Sequence, residues 1–198
     1  MPRLKTQQQR PQKLRIIGGQ WRSRQISFTS APGLRPTGDR IRETLFNWLA
    51  ADIPGARCLD LFAGSGALCF EALSRGAASC TAVELDGRAT KQMRENQELL
   101  QANNISIVMA DARHYLQQSV PQQPYHIVFI DPPFESQLQG SVCAALNNNR
   151  WLAPNALIYC ELPTSDCVFV APTNWQLLHE KRAGEVKYSL YSCIEPMA

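Results

Sequence analysis

From residue 56 onward the chain alternates short apolar runs with longer stretches of helical periodicity, and that alternation narrows the fold more than any other feature. "ARCLDLFA" reads as a strand, "SGALCFEALSRG" as a helix ended by Gly76, "SCTAVELD" as a strand and "GRATKQMRENQELLQANN" as an amphipathic helix. "ISIVMAD", "ARHYLQQ", "YHIVFIDPPF", "LQGSVCAALNNN" and "ALIYCEL" continue as strand, short helix, strand, helix and strand. Strands joined through helices of this length run parallel, and their near-continuous apolar character implies helices on both sides of the sheet. The last segment, "WQLLHEKRAGEVKYSLYSCI", reads as two longer strands joined at Ala183-Gly184, an antiparallel hairpin. The expected fold is α/β: a doubly wound, mostly parallel sheet with an antiparallel edge.

The N-terminal part has a different character. Residues 1–38 hold eight basic side chains (Arg3, Lys5, Arg10, Lys13, Arg15, Arg22, Arg24 and Arg35) and no acid, which leaves twelve basic against seventeen acidic residues in the body. Residues 1–13, rich in Gln and Arg, are expected to be a flexible basic tail. "LRIIGGQWRSRQISF" reads as two short strands around Gly18-Gly19, giving a basic hairpin over 14–30, with the main domain at 31–198. Asp39 is the expected N-cap of a helix over "DRIRETLFNWLA". A basic arm on an acidic body is an electrostatic footprint for a polyanion, of which nucleic acid is the commonest inside cells, or else a solvated tail that aids solubility.

Composition excludes several classes. No apolar stretch approaches the roughly 18 residues of a membrane span, and the polar start lacks the apolar core of a signal peptide, so a cytoplasmic protein away from membranes is expected. The seven cysteines include no C-x-x-C pair and fall largely in apolar runs, and His114, His126 and His179 lack ligand spacing. Neither disulfides nor a metal site is expected. Nothing demands more than a monomer.

In an open parallel sheet, ligands bind outside the carboxyl ends of the strands. After the first core strand comes "DLFAGSGAL": Asp60, Phe62, then Gly64 and Gly66 opening a helix, where missing Cβ atoms allow a tight turn and a close ligand approach. Cys69 stands where a dinucleotide fingerprint has Gly or Ala, and Asp60 adds negative charge, so a phosphate is disfavoured and a cationic ligand suited. Glu84, eighteen residues after Gly66, ends the next strand where an acid grips a ribose diol. Asp111 and Ala112 end the third, within reach of an adenine edge, although Asp111 is also a credible N-cap. Adenine, ribose and a charged amino-acid moiety without phosphates describe S-adenosylmethionine.

The fourth core strand delivers Asp131-Pro132-Pro133-Phe134 to the same rim. Prolines cannot extend the ladder and hold the backbone rigid, so the carbonyls after Asp131 are preset acceptors, and Phe134 offers a flat apolar face. Such a group can grip an exocyclic base amine through Asp131 and a carbonyl of the proline loop, turning its lone pair toward a methyl donor while Phe134 stacks on the base. Asp131, Pro132 and Phe134 are the candidate catalytic residues.

"DPPF" after an apolar strand resembles the [DNS]-P-P-[YFW] signature of amino-group methyltransferases acting on nucleic acids, and "DLFAGSG" resembles their donor loop. With "RIIGGQWRSRQISF…GLRPTGDRIRETLFNWL", the whole chain resembles the bacterial family that methylates a guanine N2 of 16S ribosomal RNA. The resemblance implies a seven-stranded, Rossmann-like donor-binding domain, S-adenosylmethionine as donor, and a substrate presented in an assembling small subunit. It also implies that Arg35, Thr37 and Arg40 of "RPTGDRIRE" contribute to the donor and substrate pocket. Arg15, Trp21, Arg22 and Arg24 of the hairpin are further candidate substrate contacts, with Trp21 either stacking in the substrate or packing beneath the hairpin.

Rival readings remain. An adenine-N6 methyltransferase would share the pocket. Two adjacent donors on the guanine edge suit a carboxylate such as Asp131. A nucleotide-dependent oxidoreductase is disfavoured by Cys69 and "DPPF", and a non-catalytic RNA-binding module leaves the strand-end acids without purpose.

Overall fold

The computed structural model describes residues 12–28, 37–133, 138–148, 150–165 and 169–194. Phe134, Arg35 and the basic residues before Gln12 lie outside them. Among the described residues the elements are β1 (Gln12–Arg15), β2 (Gln25–Phe28), α1 (Asp39–Trp48), β3 (Arg57–Asp60), α2 (Ala67–Ser74), β4 (Ser79–Glu84) and α3 (Gly87–Leu100). There follow β5 (Ile105–Met109), α4 (Ala112–Gln118), β6 (Tyr125–Ile130), α5 (Gln139–Asn148), β7 (Leu152–Pro163), β8 (Trp175–Ala183) and β9 (Val186–Cys193).

The main sheet has seven strands in the order β5-β4-β3-β6-β7-β9-β8. Its first five are parallel, and β9 pairs antiparallel with both β7 and β8. The order reverses between β3 and β6, which are adjacent strands, so the crevice of a doubly wound sheet opens at their carboxyl ends. Apolar side chains alternate to the two faces of the pleat. Cys58, Ile127 and Phe129 join α1, α2 and α3 on one face, whereas Leu59, Val128 and Ile130 join α4 and α5 on the other. Every residue of α2 is buried, which accounts for its almost wholly apolar sequence.

The N-terminal hairpin differs from its expected form. Its strands are four residues each, β1 starts at Gln12, and Gly18-Gly19 lies in the connection rather than at a two-residue turn. That connection is pressed onto the end of α2. The Gln20 N–H donates to the Ser74 carbonyl at 2.7 Å, and a Cβ on Gly19, at φ +76°, would collide with that carbonyl. Ile16, Trp21 and Ile26 are buried in the main core, so the hairpin shares that core rather than standing apart. Two further expectations are corrected. Gly38 is the N-cap of α1, and Asp39, its first residue, pairs with Arg42 at 2.7 Å. The C-terminal hairpin turns at Gly184-Glu185, with Gly184 at φ +59°.

Candidate active site

Parallel strands in register put their carboxyl ends on one rim, and acids collect there. Asp60 ends β3, Glu84 ends β4, Asp131 follows β6, and Glu161 lies near the end of β7. Glu161 was not among the residues singled out from the sequence. The signal was present, since "LIYCEL" is an apolar run meeting an acid like "CLD" and "AVE", but the run reads onward through Leu162 as strand.

The loop after β3 is shaped around Glu84. Its carboxylate accepts the Gly64 N–H at 2.7 Å and the Asp86 N–H at 2.8 Å, which ties the glycine loop to the end of β4. Gly66 caps α2 at φ +77°, where a Cβ would press within 2.8 Å of the Phe70 ring, so only glycine fits the turn. Phe62 is half-buried against the core. Asp111 serves as the N-cap of α4, accepting the Arg113 and His114 N–H groups, and Ala112 is buried as the first helical residue. Of the two roles open to Asp111 in the sequence, capping is the one its side chain performs here.

Electrostatics set the rim apart. Asp60 is 2% exposed, and its carboxylate accepts only the Phe62 N–H at 3.3 Å and the Cys69 thiol at 3.7 Å among its described hydrogen bonds. Burial pushes its pKa up to about 7, and the charges of Glu84 and Glu161 add to the rise against those two hydrogen bonds. Asp131, which keeps some accessible surface, is held well above the usual carboxylate range by burial, then by Glu161 and Asp60. Burial also raises Glu161. Among the described residues, no Lys or Arg forms an ion pair with Asp60, Glu84, Asp131 or Glu161.

Pro132 is buried beside Asp131, and Thr37 approaches from the segment before α1, its hydroxyl donating to Asp131 Oδ2 at 3.3 Å. Thr37 also lines a cleft of about 440 Å³ with Lys13, Leu14, Arg15, Gln25 and Phe28, so the hairpin and Asp131 meet across one residue. Arg15, Arg22, Arg24 and Arg40 are exposed. Arg24 reaches the Leu99 carbonyl at 2.6 Å, tying the hairpin to α3. Trp21 is only 8% exposed, so its ring packs in the core and offers no face for stacking. The hairpin is anchored by Glu71 of α2, whose buried carboxylate accepts the Ile17 and Gly18 N–H groups, each at 2.8 Å, and pairs with Arg42 and Arg75. Among the described residues no group of three or more His, Cys, Asp or Glu side chains is disposed to hold a metal, and no helix is long and apolar enough to cross a membrane.

A doubly wound sheet of this order, with a glycine loop after its first parallel strand and D-P-P after its fourth, is a methyltransferase domain of the Rossmann-like, S-adenosylmethionine-dependent class. Residues 14–192 match the family described as "Conserved hypothetical protein 95". The chain is 49% identical over 179 residues to "Ribosomal RNA small subunit methyltransferase D" of Escherichia coli K12, covering 90% of this chain and 89% of that protein. The solved structure described as "Putative methyltransferase yhhF from Escherichia coli" superposes with a TM-score of 0.87 at 45% identity, over 93% of this chain and all of that one. An RNA methyltransferase from Salinibacter ruber, solved with S-adenosyl-L-homocysteine, shares the fold at 15% identity, with a TM-score of 0.62 over 83% of this chain and 97% of its own. The chain belongs to the conserved hypothetical protein 95 family.

Proposed function

We propose that the protein transfers a methyl group from S-adenosylmethionine to the exocyclic N2 amine of a guanine in 16S ribosomal RNA, within an assembling small subunit. One observation carries this reading: four carboxylates converge on the carboxyl rim of the sheet without a Lys or Arg ion pair among the described residues. A buried acid without a counter-charge is costly; a ligand bearing sulfonium and ammonium groups supplies that charge to Asp60 when it binds, while Asp131 and Glu161 stand toward the base to be methylated.

The chain's own residues fit such a donor. Asp60 and the Gly64–Gly66 turn face the charged amino-acid end, and Glu84, fixed by two backbone N–H groups, keeps lone pairs for the ribose diol. Leu85 and Met109, 68% and 61% exposed at the ends of β4 and β5, are large apolar side chains in water for which an adenine ring gives cover. With the Asp111 carboxylate engaged as a cap, recognition of the adenine edge falls to the backbone around Ala112. The donor supplies an electrophilic methyl carbon. Asp131 and the carbonyl at Pro132 orient the amine, Phe134 stacks on the base, and Arg15, Arg22, Arg35 and Arg40 meet the RNA backbone. The relative at 49% identity, named for the small-subunit ribosomal RNA, directs the choice of substrate.

Incubating ribosomal RNA and small-subunit particles with isotope-labelled donor, then identifying nucleosides by mass spectrometry, tests the reading. N2-methylguanosine is the expected product. N6-methyladenosine would replace the base assignment, and no labelled nucleoside from either substrate would overturn the proposal.

A further inference from the structure

Neighbouring parallel strands in register carry their side chains in matched rows. Phe129 pairs with Tyr159 and Ile130 with Cys160, so the next pair along β6 and β7 is Asp131 and Glu161. Strands stand about 4.8 Å apart, which brings the two carboxyls close on one face. Glu161 is 3% exposed and accepts the Tyr159 hydroxyl at 2.7 Å. Thr37 donates its one hydroxyl proton to Asp131 Oδ2 at 3.3 Å, and the same hydroxyl works against the rise in the Glu161 pKa. Asp60 faces this pair from β3, with Glu84 beside it on β4 and the Cys69 thiol on α2, while Tyr188 of β9 faces Tyr159. All these neighbours are acidic or neutral. A carboxylate kept merely for stability would be expected to have a cation, as Glu71 has.

We infer that Glu161 is a positioning residue for methyl transfer: from the adjacent strand, with Thr37 and Tyr159, it holds Asp131 as the acceptor of the proton that leaves the base amine. The inference rests on the function proposed above. In the step, nitrogen bonds the methyl carbon, the carbon–sulfur bond breaks with its electron pair staying on sulfur, and nitrogen sheds one proton to Asp131. The donor's positive charge is thereby cancelled, the amine ends neutral, and Asp131 later returns its proton to solvent. An ordinary solvated aspartate is a weak base for this task, whereas one beside a second carboxylate in a buried site binds a proton more tightly.

The test is the pH dependence of single-turnover methyl transfer to ribosomal RNA in the wild type, Glu161→Gln and Thr37→Val, at saturating donor. The rate rises with pH as Asp131 ionises. Removing the like charge in Glu161→Gln lets Asp131 ionise earlier, so the rising limb moves down by about one pH unit and the plateau falls by roughly tenfold. Thr37→Val removes a hydrogen bond that favours the ionised form, so its limb moves up. Two readouts need no turnover: calorimetric donor affinity stays at the wild-type value in Glu161→Gln, and the decline in thermal midpoint of the donor-free protein between pH 5 and 8 becomes shallower. If the wild type labels no RNA, the proposed function fails. If it labels RNA while the Glu161→Gln limb stays in place, whatever the change in rate, Glu161 is structural and the inference falls. Should Glu161→Gln not fold, an unmoved Thr37→Val limb overturns it equally.

Discussion

Two buried carboxylates sit on either side of the same turn of chain and are treated in opposite ways. Glu71, with a side chain out of contact with water, holds Arg75 at 2.7 Å, Arg42 at 3.3 Å and two backbone N–H groups. Asp60 is almost as buried but has a backbone N–H at 3.3 Å and a thiol at 3.7 Å. A charge whose partners are all internal fastens parts of the protein together, and in this chain it fastens the hairpin to α2. A charge left short of partners costs the empty protein stability, and that cost is recovered when a cation arrives.

The largest expected effect lies at the rim. Asp131→Ala should lower single-turnover methyl transfer by about 10³-fold or more while leaving calorimetric donor affinity intact, and an active variant would remove Asp131 from the chemistry. On the paired side, Glu71→Ala takes the buried partner from Arg42, which keeps only the exposed Asp39 among the described ion pairs, and from Arg75, with an expected loss of about 3–5 kcal/mol in urea denaturation. A loss below about 1 kcal/mol would erase the contrast between the two acids.

Asp60 sharpens the comparison through pH. Its folded pKa, about 7 against an ordinary 3.8, means that between these values the native state keeps a proton that the unfolded chain has released. Stability of the donor-free protein should therefore fall as pH rises from 4 to 7, by at most on the order of 4 kcal/mol. Asp60→Asn should flatten that slope in urea titrations and weaken donor binding, and a slope as steep as wild type would exonerate Asp60. The smallest effect concerns RNA. Replacing Lys13, Arg15 and Arg22 with Ser should reduce the salt dependence of RNA binding by about 0.7–0.9 in log–log slope per lost phosphate contact, with donor affinity unchanged. An unaltered slope would take the hairpin out of RNA recognition. Point changes are required because Ile16 and Trp21 are core residues, so deleting this stretch would damage the fold.

The parallel sheet was legible because apolar runs such as "HIVFI" and turn glycines such as Gly66 are local signals, and position at a strand's carboxyl end then selected Asp60, Glu84 and Asp131. Features that depend on distant partners were harder to read. Gly18-Gly19 looks like a hairpin turn until Ser74 and Glu71, more than fifty residues away, claim its backbone. Trp21, flanked by polar and basic residues, gives no sign that its ring turns inward. Glu161 becomes conspicuous only once β7 lies beside β6 in register, a pairing set by the sheet and not by neighbours in sequence.

The short helix α2 works as a ruler. Its first residue follows the glycine turn, and Glu71 and Ser74, at its other end, hold the arm. Adding or removing one residue within Ala67–Ser74 would swing one end by about 100° relative to the other. On the proposed function, the span of this helix would fix how far the donor's glycine turn stands from the arm that meets the RNA.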